Sequence, residues 1–315
     1  MPPLLLTSCM SEAADPFCRT LADYLAERLG MDVSFVDDIP WQERLERLYT
    51  GEIQAGWVCG LVYVNSVSSP GEESKPPVIA RSRWSSSPTF LGAYRDRGDE
   101  AIPPREGGGL LRAENHRPRN DGNLELLAAP VMQGERYRGR PVYFSDVVVR
   151  RDSSFQSFDD LRGGVWAYNE PGSYSGYFVM LDRLAKMGEG LSFFGNVIES
   201  GGHITSLQMV LAGEADVAAI DSTAFDLYLQ RNPGALKDLR VVESLGPNPI
   251  PPWVVARNTP AKMRDALRDA MLAMASDPRG RLILEKGRIS QFVEVRDGDY
   301  DPIRAVVRQA GGHSR

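Results

Sequence analysis

The side chains able to do chemistry in this sequence gather at strand-to-helix junctions. The first group is Pro171-Gly172-Ser173-Tyr174-Ser175-Gly176-Tyr177. The free amides of a helix's first turn, its dipole and two hydroxyls make a site for a tetrahedral oxyanion. The same serines also serve as plain helix caps. The second group is Glu199-Ser200-Gly201-Gly202-His203, where two glycines let the backbone approach closely and His203 is one of only 3 histidines. The third is Ala218-Ala219-Ile220-Asp221-Ser222. A carboxylate ending an apolar strand needs a partner. Asp221 either accepts a proton carried by a ligand or caps the helix that starts near Ala224. Tyr63 and Tyr143 end or interrupt strands. Each offers one hydroxyl donor at the tip of a rigid ring, or simply packs in a core.

Ser173 or Ser175 with His203 and Asp221 has the composition of a hydrolytic triad, but the G-x-S-x-G elbow is absent. Two serines at a helix start suit anion capture better than an activated hydroxyl, so no enzyme is expected. Cys9, Cys18 and Cys59 form no disulfide framework, and no Cys/His spacing matches a zinc site. Neither a metal nor a cofactor is expected. A net charge of −6 argues against a broad basic footprint for nucleic acid. No apolar run is long enough to span a bilayer. The opening MPPLLLTSCM lacks a basic n-region and reads as a first strand ending near Ser8, not as an export signal.

The elements around these groups alternate. Apolar runs at 4–8, 33–36 and 54–64 read as strands, with helices over 16–29 and 40–49 between them. Further strands are expected at 126–131, 140–149, 164–168, 193–198, 217–220, 239–243 and 253–256. This alternation predicts an α/β architecture with largely parallel sheets. The stretch 66–123 is rich in Ser, Pro, Gly and charge and reads as a disordered insertion. Thr50–Val58 and Ala212–Ile220 share one plan: helix end, glycine, glutamate, apolar strand. With 315 residues, two lobes are expected. Lobe one combines 1–145 with 246–315 and lobe two is 146–245. The hinges are placed at 146–152 and at the proline-rich 244–252.

In order and spacing, residues 126–300 resemble the phosphonate/phosphate-binding proteins of ABC importers, within the two-lobed type 2 periplasmic-binding fold. The matching pieces are Tyr143-Phe144-Ser145, Leu161-Arg162-Gly163, Ser173-Tyr174-Ser175-Gly176-Tyr177, Ser200-Gly201-Gly202-His203 and Gly213-Glu214-Ala215-Asp216 through Asp221. The resemblance implies a cleft between the lobes that captures a phosphonate, phosphate or phosphite-like oxyanion. It implies that Ser173, Tyr174 and Ser175 hold the phosphorus-bound oxygens, joined by His203 and Asp221, with Tyr143 and Tyr63 closing from the first lobe. It further implies a monomer that meets an importer's membrane component in the periplasm or outside the cell. The missing export signal leaves a cytoplasmic place open. The alternatives are a cytoplasmic ligand sensor on the same fold, or a binder of a sulfonate or thiamine precursor.

Overall fold

Short apolar strands separated by capped helices build two separate sheets. The computed structural model describes residues 3–67 and 122–312. Its strands are β1 (Leu4–Ser8), β2 (Val33–Val36), β3 (Ala55–Trp57), β4 (Leu124–Met132), β5 (Val142–Arg150), β6 (Val165–Tyr168), β7 (Asn196–Glu199), β8 (Val217–Asp221), β9 (Leu239–Pro249), β10 (Trp253–Ala256) and β11 (Ile289–Val293). Its helices are α1 (Asp15–Leu29), α2 (Trp41–Thr50), α3 (Gly60–Val67), α4 (Val179–Lys186), α5 (His203–Ala212), α6 (Ser222–Arg231), α7 (Ala261–Leu272), α8 (Pro278–Lys286) and α9 (Asp301–Gly312).

The first sheet has six strands in the order β11-β4-β10-β3-β1-β2, and the second has five in the order β7-β6-β8-β5-β9. β1 runs parallel to β2 and β3, and β6 runs parallel to β7 and β8. Each parallel strand therefore delivers its carboxyl end, and the helix start that follows, to one edge of its sheet. The repeated plan noted in the sequence takes one shape twice. α2 ends at Gly51 and α5 at Gly213, both left-handed with φ of 80° and 76°, and β3 and β8 follow.

Each sheet carries its own aromatic packing. In the first, Trp57 stacks on Trp253 across the β3–β10 pair with ring centroids 6.1 Å apart. In the second, Trp166 on β6 packs against Tyr168, Tyr177 and Phe194. The methionine-rich face of α7 and the turn after it is core: Leu267, Met271 and Met274 are buried.

Three expectations about the elements are corrected. The apolar run 54–64 is not one strand, because β3 stops at Trp57 and the chain turns into α3, which packs on α9. A short run apolar on all sides serves a buried helix as well as a buried strand. Residues 146–152 are no hinge either. β5 runs unbroken from Val142 to Arg150 between β8 and β9, so 142–145 belong with the second sheet. The proline-rich 244–252 is largely strand, since β9 extends to Pro249. β9 is the sheet's edge, where a missing backbone donor is tolerated. The chain passes between the sheets in the links β4–β5 and β9–β10. Most of the stretch read as an insertion, 68–121, lies outside the described residues.

Candidate functional site

β6 feeds the turn that carries the two serines. Ser173, in extended conformation, caps the next helical segment, its Oγ accepting from the Gly176 amide at 3.0 Å. A single π-helical turn, Tyr174–Phe178, precedes α4 where a regular helix start was expected. Such wide turns occur often at functional sites. It is pinned to the neighbouring strand: Ser145 on β5 donates its hydroxyl to the Ser175 carbonyl at 2.6 Å.

That pinning sets Ser175 against His203. The Ser175 Oγ lies 3.3 Å from His203 Nε2, although the two residues stand 28 apart in sequence. His203 opens α5, and the preceding Gly202 offers no side-chain cap. Its Nδ1 is buried without a hydrogen-bond partner. Burial pushes the ring down to about 4, and the nearby Ala219 backbone only partly opposes this. The imidazole is therefore neutral at physiological pH.

Asp221 ends β8 and caps α6. Its Oδ1 accepts from the Thr223 amide at 2.7 Å, the Thr223 hydroxyl at 2.7 Å and the Ala224 amide at 3.4 Å. All three bonds fall on one oxygen, so the cap leaves Oδ2 uncommitted. Burial pushes the carboxyl up to about 6 against these bonds, and Asp146 adds to the rise. Met10, Ser11, Ala14 and Trp57 from the first sheet's unit line a pocket together with His203, Asp221, Thr223, Ala224 and Leu227 from the second. Arg231 at the end of α6 bridges the same seam, donating to the Ala13 carbonyl at 2.7 Å.

The tyrosines divide. Tyr143 sits on β5, in the sheet that also carries Asp221, and not on the facing unit as expected. It is buried, and its hydroxyl is driven far above its ordinary value by burial first and then by Cys59, Asp221 and Tyr174, with a bond to the Ser175 side chain opposing. Tyr143, Ser175, His203 and Asp221 thus form one neighbourhood. The Tyr174 hydroxyl is spent elsewhere, on Asn248 Oδ1 at 3.1 Å, which leaves its backbone to the turn. Tyr63 does not join the group. It lies on α3, its hydroxyl bonds Asp297 Oδ1 at 2.9 Å, and its ring packs edge-on against Tyr300. Its apolar helix faces α9, so the ring follows the packing and turns away from the seam.

One residue escaped the sequence reading. Asn169, just after β6, is buried, and its Oδ1 has no partner. A Cβ on Gly176 would stand 1.8 Å from that oxygen and 3.1 Å from His203 Cε1. The glycine of the Ser-Tyr-Ser-Gly-Tyr run is what lets Asn169 and His203 approach the turn. An asparagine directly after a strand has no distinctive pattern of its own. Among the described residues no group of three or more His, Cys, Asp or Glu is placed to hold a metal ion. No helix among them is long and apolar enough to cross a membrane.

With this geometry in hand, comparison with known proteins is direct. The family model described as ABC transporter, phosphonate, periplasmic substrate-binding protein matches residues 118–300. Over 173 residues the chain is 26% identical to a phosphonates-binding periplasmic protein of Escherichia coli (strain K12), covering 53% of this chain and 51% of that one. The chain thus spans about half the length of that curated relative. A binding protein component of an ABC phosphonate transporter from Pseudomonas aeruginosa superposes with a TM-score of 0.73 at 14% identity, over 100% of this chain and 90% of that one. A protein of Prochlorococcus marinus (MIT 9301) in complex with methylphosphonate gives 0.71 at 14% identity, over 97% of each chain. At such identities these structural likenesses speak to the fold, which is the two-lobed periplasmic-binding architecture.

Proposed function

This chain belongs to the family of periplasmic phosphonate substrate-binding proteins of ABC transporters, and from that premise we propose that it captures a phosphonate, phosphate or phosphite-like oxyanion between its two lobes. The observation that carries the proposal is the Ser175–His203 pair beside a two-sided pocket. A π-turn presents Ser175, a neutral imidazole stands against its hydroxyl, and Asp221 keeps one oxygen outside its cap. Ser173, Tyr174 and Ser175 form the cradle; the Ser173 amide is taken by the Glu170 carbonyl and the Gly176 amide by Ser173 Oγ, so the Ser175 hydroxyl is the main donor the turn offers. His203 and Tyr143 flank it. Tyr63 has no part, because its hydroxyl belongs to Asp297.

The chain acts as a carrier in this reading, in keeping with its family of substrate-binding proteins. The carrier works in the periplasm, as a monomer, and delivers its ligand to the membrane component of an importer. Residues up to the end of β4, with β10 onward, form one lobe, and β5 through β9 form the other.

Calorimetry tests this. Methylphosphonate, phosphate, phosphite and sulfate are titrated into the wild type and Ser175→Ala. Loss of a charge-assisted hydrogen bond should cost about 1.5–3 kcal/mol. Absence of any phosphorus oxyanion binding at millimolar concentration, or an unchanged Ser175→Ala variant, would overturn the reading.

A further inference from the structure

Arg44 lies in the first turn of α2, where it is only 6% exposed. Its Nε and Nη1 are buried without a hydrogen-bond partner. An unpaired buried charge is among the most costly features a fold can keep, so a guanidinium held this way is waiting for an acceptor.

The first turn of α2 sits at the seam between the lobes. The Cys9 thiol, just after β1, donates to the Trp41 carbonyl at 3.9 Å, which ties that turn to the strand's carboxyl end. Arg44 is close enough to act electrostatically on Cys9 and on Asp15. These two residues bracket Met10, Ser11 and Ala14, the first lobe's wall of the pocket. Arg44 acts on Asp15 of its own lobe, yet the Asp15 Oδ1 is also buried and unpartnered, and no ion pair joins the two. From the facing lobe, Glu170 acts on Cys9 as well, so the seam holds acids and one buried cation.

Two things make the missing acceptor a ligand group. The cradle at Ser173–Ser175 belongs to the other lobe, so a ligand held there by its phosphorus end has its organic end toward the first lobe, whose pocket wall Cys9 and Asp15 bracket. A guanidinium N–H donates to a carboxylate in a charge-assisted hydrogen bond, and Nε and Nη1, on different edges of the group, each have one to give. We propose that Arg44 receives a carboxylate on the organic end of the ligand, so that the preferred ligand class is a phosphonate bearing a carboxylate. This rests on the oxyanion-capture reading above and adds the identity of the ligand's other end.

The experiment is calorimetry with methylphosphonate, phosphonoacetate, 3-phosphonopropionate and 2-aminoethylphosphonate. In the wild type one of the two carboxylated ligands should bind about tenfold or more tighter than methylphosphonate, the scale of a charge-assisted hydrogen bond, and the aminated one weaker. In Arg44→Met the ratio of carboxylated to methyl ligand should fall to about one. If none of the four phosphonates binds at millimolar concentration, the oxyanion reading fails. If they bind but the wild type shows no carboxylate preference, or Arg44→Met keeps the preference, the Arg44 assignment fails alone. The wild-type series decides this even where the variant does not fold.

Discussion

Ser175 Oγ and His203 Nε2 lie 3.3 Å apart, joining the turn after β6 to the first residue of α5. A hydroxyl and a neutral imidazole can each donate or accept, so the pair can reorient toward an anion without a change of charge. That property depends on the ring remaining unprotonated.

The state of His203 yields a stability prediction. Burial pushes its ring down to about 4 from an ordinary 6.5. Between those values the unfolded chain binds more protons than the folded one. The stabilisation is therefore complete above pH 6.5 and lost as pH falls through 4, amounting to about 3 kcal/mol at most. Asp221 works in the opposite sense. Its carboxyl, raised to about 6, makes the fold less stable as pH rises from 3.8 to 6. The two are separated by comparing variants: His203→Gln should lose less stability than wild type between pH 6.5 and 4.5 in urea titrations. Parallel curves would show that the ring carries no such linkage.

Asp221 should also shape the pH dependence of binding. Above about 6 its carboxyl is ionised, and its Oδ2 repels a fully charged dianion while accepting from a protonated oxygen. Affinity for methylphosphonate should fall as pH rises through the ligand's second ionisation. Asp221→Asn retains an oxygen for the α6 cap and should flatten that fall. Calorimetry from pH 5 to 8 reads the slope directly, and an unchanged slope in the variant would remove Asp221 from the ligand's contacts.

Gly176→Ala probes the close approach within the site. The added methyl falls on Asn169 Oδ1, the end of a side chain that can swing, so the fold should survive with a loss of about 1–3 kcal/mol. Swinging Asn169 or shifting His203 disturbs the cradle, so methylphosphonate affinity should drop by about tenfold or more, a near-ångström displacement being enough to break a hydrogen bond. Thermal denaturation alongside calorimetry separates the two effects. A variant that binds as well as wild type would mean that this contact is not needed.

Much of this was legible in the chain itself. The Asp15-Pro16 helix start, the glycines that close α2 and α5, and the apolar runs of β1, β5 and β8 are local features, and local sterics and period read them. The placement of Ser173–Ser175, His203 and Asp221 at strand ends was legible for the same reason, because a parallel α/β unit brings every such junction to one edge. The run 54–64 was not, since its composition fits a strand or a buried helix and only the end of β3's pairing at Trp57 decides between them.

What the sequence determined by itself was the α/β alternation, the kind of chemistry at each junction and the family it belongs to. Tertiary structure decided which of those junctions meet. Tyr63 and Tyr143 look alike as strand-end tyrosines, yet Asp297, 234 residues away in sequence, takes the hydroxyl of Tyr63, while Tyr143 stays beside Ser175. Arg44 reads as one charge on an amphipathic helix. Only the packing of α2 against the end of β1 removes it from water and leaves its Nε and Nη1 without a partner. Pairings across such distances depend on how helices settle on two sheets, and no local period in the chain encodes that.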